Sequence, residues 1–318
     1  MNRTSPQLNG FLLLNKPRGI TSMDVLRRVK RITGIKKRMG HGGTLDPLAQ
    51  GILPICFGQA TRLMEYLING TKEYLMELRL GVSTDTYDAE GKVTSTRDPV
   101  HVTREQAEMS LESFRGVFHQ RPPMHSALKK EGKRLYEFAR QGIEVERDLR
   151  EVEVFRLTLA EFNPPFLSVE TECGRGVYMR SLAHDLGEML GCGAHVSQLV
   201  RLRTGPFHVD RALSLEEFEN VAADDQWKER LQPLDSLLLH MKSLAVEENA
   251  ERHLRHGRSV TLGHHGFYAG YLESYRIYSS DGRFLAVARF DRPNNRWDPH
   301  KVFHIDEPSP YAPQDEEP

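Results

Sequence analysis

The stretch from Gly40 to Gly51 reads GHGGTLDPLAQG and contains one carboxylate, Asp46, among four glycines and a proline. Glycine, aspartate and proline are frequent turn formers, so a surface turn is the simplest interpretation of this stretch. A turn alone does not require a lone acid at its centre. The segments on either side decide whether Asp46 has a chemical role.

The residues before this stretch predict a short strand followed by a basic helix. Residues 10–14 (GFLLL) form an apolar run of strand length. Thr21 and Ser22 can cap a helix that leads directly into the glycine-rich stretch. The predicted apolar side of that helix carries Met23, Leu26, Val29 and Ile32. The helix should therefore bury one face and present its cations on the other.

The composition is that of an ordinary folded protein, with 39% hydrophobic and 27% charged residues. A length of 318 residues favours two domains, the second small. No apolar run reaches the length of a membrane span or a secretory signal, so a cytoplasmic protein is expected. The three cysteines form no CxxC pair and the histidines form no HExxH spacing, so we expect neither a disulfide nor a metal site.

The overall charge of −1 hides a strong segregation along the chain. Residues 1–58 contain ten Lys or Arg but two Asp or Glu, and residues 27–38 hold seven cations in twelve positions. A solvated helix face is one interpretation. Solvated faces usually mix both signs, so a surface that binds phosphates is favoured, with Lys36, Lys37 and Arg38 as candidate contacts.

Further along, the pattern mixes strands and helices. Residues 73–82 alternate as a half-buried strand with Tyr74 on its apolar face, and residues 103–114 predict a helix. Residues 119–150 form a polar excursion rich in Lys and Arg, typical of a functional or mobile segment. Beyond it the chain predicts strands at 151–159 and 166–172, a helix carrying Tyr178, Leu182 and Leu186, and a hairpin around Asp281-Gly282.

These patterns predict an α+β catalytic domain followed by a small all-β module. We place the catalytic domain at residues 10–240 and the module at 241–305. Residues 1–9 and the acidic, proline-rich end at 306–318 are expected to be disordered.

Five further motifs accompany the Asp46 stretch in a fixed order. They are LLLNKPRGITS at 12–22, KEY at 72–74, TDTYDAEG at 84–91, HSALKKEGKRLYEFAR at 125–140, and CGRGVYMRSLAHDLGEMLGCGAHV at 173–196. Together with the stretch they resemble the TruB family of pseudouridine synthases, which isomerise uridine 55 in the T-loop of transfer RNA. The resemblance covers nearly all of residues 10–205.

The resemblance implies the pseudouridine synthase fold, a mixed and largely antiparallel sheet with flanking helices and a central RNA cleft. It also implies a PUA-like RNA-binding domain at 241–305 and an RNA-gripping role for the 119–150 insertion. The reaction breaks a C–N glycosidic bond and forms a C–C bond with the same base. It needs no cofactor, and the expected partner is the T arm of tRNA, bound by a monomer without an obligate protein partner.

The resemblance assigns site residues that periodicity alone would place elsewhere. By spacing, Tyr74 and Tyr178 are core aromatics and Arg180 is a surface helix residue. The resemblance implies instead a catalytic Asp46 paired with Arg180, Tyr74 as stacking residue and proton acceptor, and uridine contacts from His41, Tyr178 and Leu199. Because the target base lies in a folded loop, it must be flipped into the site. Lys129 and Arg134 of the insertion are candidate phosphate ligands.

Two alternatives are weighed against this interpretation. A non-catalytic RNA-binding or tRNA-folding protein would be favoured if Asp46 were replaced, and it is present. A related synthase acting within a guide-RNA complex usually carries long basic extensions, whereas residues 306–318 are acidic.

Overall fold

The computed structural model of the chain describes residues 8–130, 132–262 and 269–313. The strands, in chain order, are β1 (Gly10–Lys16), β2 (Met39–His41), β3 (Gln50–Phe57), β4 (Lys72–Leu80), β5 (Val82–Thr84), β6 (Val93–Thr96), β7 (Gly116–Gln120), β8 (Lys129–Lys130), β9 (Lys133–Arg134), β10 (Arg150–Asn163), β11 (Phe166–Cys173), β12 (Ala194–Thr204), β13 (Phe207–His208), β14 (Leu213–Ser214), β15 (Ser243–Val246), β16 (Ser274–Ser279), β17 (Phe284–Asp291) and β18 (Arg296–Val302).

The α-helices are α1 (Ser22–Thr33), α2 (Met64–Asn69), α3 (Arg104–Glu112), α4 (Leu135–Arg140), α5 (Met179–Met189), α6 (Leu215–Ala223) and α7 (Glu248–Arg255). None of these helices, within the described ranges, is long and apolar enough to cross a membrane. The N-terminal segment predicted to be disordered lies outside the described residues as far as residue 7.

One ten-stranded sheet forms the centre of the larger domain. Its path is β14-β1-β3-β12-β4-β11-β10-β7, with β2 added to β3 and β13 added to β12. The β1–β14 and β3–β12 pairs are parallel, and the remaining pairs are antiparallel. The predicted mixed, largely antiparallel sheet with flanking helices is confirmed.

Helix α1 forms as its sequence predicts. The Thr21 hydroxyl accepts a hydrogen bond from the Asp24 N–H, and the Asp24 carboxylate accepts one from the Thr21 N–H, which closes a capping box. Gly34 ends the helix with a φ of 70°. Val25 and Val29 are fully buried, but Met23 is 44% exposed, so the predicted apolar side is narrower than expected.

The central strand β4 fixes which side chains share a face with Tyr74. Tyr74 lies directly opposite Thr171 of β11 and Arg201 of β12, and Met76 lies opposite Leu199. Directly paired residues point to the same side of a sheet. Register therefore brings Tyr74, Arg201 and Leu199 to one face.

The 119–150 insertion contains little regular structure besides the two-residue strands β8 and β9 and the short helix α4. Its first arm is fastened to the start of α5. The Gln120 amide exchanges two hydrogen bonds with the backbone of Tyr178, at 2.8 and 3.0 Å, and the Ser181 hydroxyl donates to the Arg121 carbonyl at 2.7 Å. These contacts fix the beginning of the insertion above the sheet.

The C-terminal module is a four-stranded sheet, β15-β16-β17-β18, that begins at Ser243. The structure adds to the predicted all-β module the helix α7, whose Leu254 is fully buried in the module's core. A buried polar contact joins the module to the larger domain: the Tyr278 hydroxyl donates to Asp235 at 2.6 Å and accepts from Arg276 at 2.9 Å. Burial and the Asp235 charge raise the pKa of Tyr278.

The chain end differs from the expected disordered tail over residues 306–313. The Ser309 hydroxyl donates to Asp235 at 2.5 Å, and Pro308 forms an isolated bridge with Arg283. Acidic composition suggested disorder, but this segment is held by the same buried Asp235 that contacts Tyr278. Residues 314–318 lie outside the described residues.

Candidate active site

The loop that carries Asp46 is anchored by its neighbours in sequence. Leu45 and Leu48 are 4% and 2% exposed and pack in the core below α5 and β4. The buried Ser22 hydroxyl accepts the Leu45 N–H at 2.7 Å and donates to the Leu45 carbonyl at 3.0 Å. Asp46, between the two leucines, is left partly exposed, with 39% of its side chain accessible. The stretch is therefore a turn that its buried neighbours anchor in the core, not one that lies freely on the surface.

The segment after β1 holds the other side of this loop. The Gly19 N–H donates to the Pro47 carbonyl at 2.8 Å, and the Lys16 ammonium donates to the same oxygen at 3.3 Å. Lys16 is fully buried and also donates to the Ile20 carbonyl at 2.7 Å. Burial lowers the pKa of Lys16 to about 8, an effect that the negative charge of Asp46 partly opposes.

At two positions of the 40–51 stretch, neighbouring atoms lie so close to the backbone that only glycine fits. Gly51 has a φ of 106°, and a Cβ atom there would lie 2.2 Å from the Arg201 carbonyl oxygen. A Cβ atom on Gly42 would lie 2.4 Å from a methyl group of Leu67. The glycines therefore let the loop pass tightly between β12 and α2.

Arg180, in the first turn of α5, is the cation that faces Asp46. Its Nε atom lies 2.9 Å from Oδ2 of Asp46, and its Nη1 atom lies 3.5 Å from Oδ2 of Asp88. The Arg180 and Asp88 side chains are each 5% exposed. The Nε–H group does not form a hydrogen bond with Asp46, so the contact is an ion pair. The Asp46 side chain is 39% exposed, so a molecule bound in the cleft can reach it.

Backbone carbonyls complete the shell around the guanidinium. Nη1 of Arg180 donates to the Thr86 carbonyl at 3.2 Å, and Nη2 donates to the His125 carbonyl at 2.7 Å. A buried guanidinium requires such partners because its N–H groups have lost water. Arg180 therefore links the Asp46 loop, the 84–91 loop and the insertion.

Asp46 and Arg180 line an open cleft of about 340 Å³. Tyr74, Tyr178 and Leu199, to which the resemblance assigns uridine contacts, contribute to its walls, and the contacts themselves stay a prediction. The remaining lining residues are Gly43, Thr44, Leu45, Ala49, Ile68, Lys72, Ser126, Ala127, Cys173, Gly174, Arg175, Gly176, Val177, Met179 and Arg201. The cleft is lined mainly by apolar atoms and a few convergent polar groups, as is common in ligand sites.

Arg201 is a buried residue in the lining of the cleft. It is 1% exposed, and its Nε and Nη2 atoms both donate to the Ile52 carbonyl, at 2.9 and 2.8 Å. Loss of solvation raises the pKa of Tyr74, and the charge of Arg201 opposes that rise. Tyr74 is therefore held as a phenol, with a cation beside it that reduces the cost of deprotonation.

Tyr178 and Lys72 are two further lining residues of the cleft. Burial raises the pKa of Tyr178. The Lys72 ammonium donates to the Ile68 and Gly70 carbonyls at 2.5 and 2.6 Å and so fixes the end of α2. Burial lowers the pKa of Lys72 to about 8.

His41 does not line the cleft. It ends β2, and its Nδ1 atom is buried without a hydrogen-bond partner among the described residues. Burial, followed by the Arg201 charge, lowers the pKa of His41. A uridine contact from this residue stays a prediction.

The five candidate phosphate contacts lie in two places. Lys36, Lys37 and Arg38 are exposed in the loop between α1 and β2. Lys129 and Arg134 face each other across the β8–β9 hairpin of the insertion, both exposed. Earlier cations of the basic helix are already paired, Arg27 with Asp24 and Arg28 with Glu219. Within the basic residues 27–38, the exposed loop is thus a stronger candidate for phosphate contacts than the paired arginines of the helix.

Sequence reasoning missed Arg201, Asp88, Lys16 and Lys72. Arg201 could have been found because it shares strand parity with Leu199, and an arginine at a core-facing position is unusual. Asp88 gave no comparable signal, since the TDTYDAEG motif reads as a turn. Across residues 8–130, 132–262 and 269–313, no group of three His, Cys, Asp or Glu side chains could hold a metal ion.

Solved structures with a similar fold include a chain of a Cbf5-Nop10-Gar1 complex, with a TM-score of 0.71 and 24% identity over 97% of this chain and 88% of that one. A chain of an H/ACA RNP bound to a substrate RNA gives a TM-score of 0.69 and 22% identity, over 98% and 93%. At these identities the likeness concerns the fold. The chain shares the fold of these two proteins.

Sequence comparisons identify both the class of protein, a pseudouridine synthase, and its family. A model of the TruB family pseudouridylate synthase N-terminal domain matches residues 30–179, and one of the tRNA pseudouridylate synthase B C-terminal domain matches residues 180–244. The tRNA pseudouridine synthase B of Dehalococcoides mccartyi is 41% identical over 96% of this chain and 100% of its own length. That of Pseudomonas aeruginosa is 41% identical over 90% and 93%. This chain belongs to the TruB family.

Proposed function

We propose that this chain converts uridine 55 in the T-loop of tRNA to pseudouridine, with Asp46 as the catalytic carboxylate. The observation that carries the proposal is the ion pair between Asp46 and the buried Arg180 inside the cleft. The family membership and the names of the relatives support tRNA as the substrate class. Position 55 follows from the resemblance of the motifs.

The reaction is an isomerisation, and each group in the cleft has a part in it. The N1–C1′ bond of uridine breaks and a C5–C1′ bond forms, while a proton leaves C5 and a proton is gained at N1. No water or other group is added, so the site must retain the free base. The apolar walls formed by Leu199 and the tyrosine rings suit a flipped uracil.

Asp46 must be ionised to act as a nucleophile or to stabilise positive charge on the ribose. The Arg180 guanidinium, whose Nε atom lies 2.9 Å from Oδ2 of Asp46, holds the carboxylate in place at the cleft. Tyr74 is proposed to stack on the uracil and to accept the C5 proton. The phenolate is the form that accepts this proton, and burial makes it scarce because it raises the pKa of Tyr74. The positive charge of Arg201 opposes that rise and so favours the phenolate.

We propose further that the RNA is held by its phosphates and its shape. The exposed loop cations Lys36, Lys37 and Arg38 and the hairpin pair Lys129 and Arg134 are the proposed phosphate contacts. The four-stranded module is proposed to be a PUA-like RNA-binding domain. The chain is proposed to act as a monomer in the cytoplasm, where tRNA is used.

The test is to incubate the pure chain with an unmodified tRNA transcript and to map pseudouridine at single-nucleotide resolution. The proposal predicts one modified position, uridine 55, and none in a matched transcript with cytidine at 55. Modification at another position would refute the site. Tight binding without any modification would favour the binding-only alternative.

A further inference from the structure

A stacked pair of rings lies next to Arg180 and has no part in the chemistry described above. The rings of Tyr87 and His184 are 3.9 Å apart between centroids, with planes inclined by 7°. Both side chains are half-buried, and the buried Nδ1 atom of His184 has no hydrogen-bond partner among the described residues. His184 therefore contributes a flat ring face and no hydrogen bond from Nδ1.

Tyr87 adopts a backbone conformation that side chains other than glycine rarely take. Its φ is 64°, in the left-handed region where Cβ crowds the backbone. Such strain persists only where surrounding contacts determine it, and it is concentrated at functional sites. A bulky tyrosine at this position therefore requires a compensating contact, and the His184 ring supplies one.

The Tyr87–His184 stack and the Asp88–Arg180 ion pair are two contacts between the same two segments, the 84–91 loop and helix α5. Arg180 and His184 are four residues apart on α5, so they lie one turn apart on the same face of the helix. Tyr87 and Asp88 are adjacent in the 84–91 loop. Asp88 meets Arg180, and Tyr87 meets His184. The left-handed turn at Tyr87 allows two consecutive side chains to contact one helix face.

The opposite side of the loop is fixed to the sheet by backbone hydrogen bonds. The Val196 N–H of β12 donates to the Tyr87 carbonyl at 3.0 Å, and the Ala89 N–H donates to the Val196 carbonyl at 2.9 Å. The loop is therefore fastened to β12 on one side and to α5 on the other. The ring stack is one of the contacts that connect this loop to α5, beside the ion pair of Asp88 with Arg180.

We propose that Tyr87 and His184 are positioning residues that hold Arg180 against Asp46 through the 84–91 loop. Without the stack, the loop keeps its hydrogen bonds to β12 but loses one of its contacts with α5, so that Asp88 and the Thr86 carbonyl shift relative to the guanidinium that they bind. Arg180 then loses its alignment with Asp46, and displacements of about 1 Å at a catalytic group can cost about 100-fold in rate. The proposal rests on the proposed function, because its readout is the isomerisation step.

Four variants distinguish the effect of the ring stack on the rate from the effects of backbone strain at Tyr87 and of folding stability. Tyr87→Phe and His184→Phe keep two rings in contact. His184→Ala removes one ring, and Tyr87→Gly removes the other while tolerating the positive φ without strain. Met189→Ala, at a half-exposed position of the same helix, is the matched control. Each full-length variant is assayed for single-turnover pseudouridine formation at saturating enzyme, tRNA Kd and thermal melting, beside wild type and Asp46→Asn.

The proposal predicts that His184→Ala and Tyr87→Gly slow the single-turnover rate by about 10- to 100-fold with tRNA Kd within about twofold of wild type. The two phenylalanine variants and the control should stay within about threefold of the wild-type rate. Full rates in the ring-deletion variants would overturn the proposal. Equal losses of rate in the two phenylalanine variants would also overturn it. So would rate losses in the ring-deletion variants that occur only at temperatures where those variants are partly unfolded. An inactive wild type would instead refute the proposed function.

Discussion

The guanidinium of Arg180 lies between two carboxylates, with Nε 2.9 Å from Asp46 and Nη1 3.5 Å from Asp88. One carboxylate faces the cleft and is partly exposed, whereas the other is buried and accepts hydrogen bonds from its own loop. This asymmetry separates their roles. Asp88 holds the arginine in place, and Asp46 stays accessible from the cleft, as its proposed role requires.

Replacing Arg180 by lysine should slow isomerisation by about 100-fold or more, the range observed when one charge-stabilising donor is removed from an active site. A lysine keeps the charge but cannot reach Asp46, Asp88 and two carbonyls together. The measurement is the single-turnover rate with tRNA affinity in parallel. Arg104→Lys, in an exposed helix pair, is the control. A lysine variant with the wild-type rate would show that the planar guanidinium is dispensable.

Tyr74→Phe should leave tRNA binding intact and lower the turnover rate by about 100-fold or more, because it keeps the ring and removes the proposed proton acceptor. Tyr74→Leu should in addition weaken binding of the flipped base, since stacking is lost. Single-turnover kinetics and melting curves for both variants distinguish these effects. If the phenylalanine variant retains full speed, the acceptor is another group in the cleft.

Changing Lys36, Lys37 and Arg38 together to glutamate should weaken tRNA binding and reduce its dependence on salt. Each phosphate contact that is lost lowers the slope of log K against log salt by about one unit or slightly less. The matched control is the charge reversal of Arg27 and Arg28, whose side chains are already paired with carboxylates. An unaltered slope in the triple variant would mean that these cations face solvent in the complex.

Lys16 should make folding stability depend on pH in an unusual direction. The pKa of Lys16 is about 8 in the folded chain, against an ordinary value of 10.5 for a lysine side chain, so the unfolded chain binds more protons between these pH values. Stability from this group therefore rises from pH 8 to 10.5. Relative to Lys16→Met, the wild type should gain at most about 3 kcal/mol across that window.

The Lys16 prediction is checked by urea unfolding of both proteins at several pH values, with Lys92→Met at an exposed site as control. Only the difference between wild type and variant is interpreted, because other groups titrate in the same range. Parallel stability curves for wild type and Lys16→Met would contradict a buried, titrating Lys16.

The parts of the fold that depend on local signals were predictable from sequence. Helix α1 has its cap at Thr21 and its stop at Gly34, and β4 alternates in hydrophobicity, so both follow from neighbouring residues. The candidate active site could be predicted only in part. Periodicity placed Tyr74 and Tyr178 in a core, and the assignment of both to a cleft came from the resemblance.

Long-range contacts account for what was missed. The Asp88–Arg180 pair joins a turn to a distant helix, and Gln120 and His125 reach α5 from the insertion. No local pattern encodes such pairings, because they depend on how the sheet brings its loops together. The ordered segment at 306–313 was missed for a similar reason, since its anchor, Asp235, lies in another part of the chain.

The central claim is that the Asp46 carboxylate performs the chemistry while the rest of the surface binds the RNA. The most direct measurement is single-turnover pseudouridine formation at position 55 by Asp46→Asn, together with its tRNA Kd. The account predicts no detectable product and a Kd within about twofold of wild type, since phosphate contacts supply most of the affinity. Turnover within tenfold of the wild-type rate would contradict it.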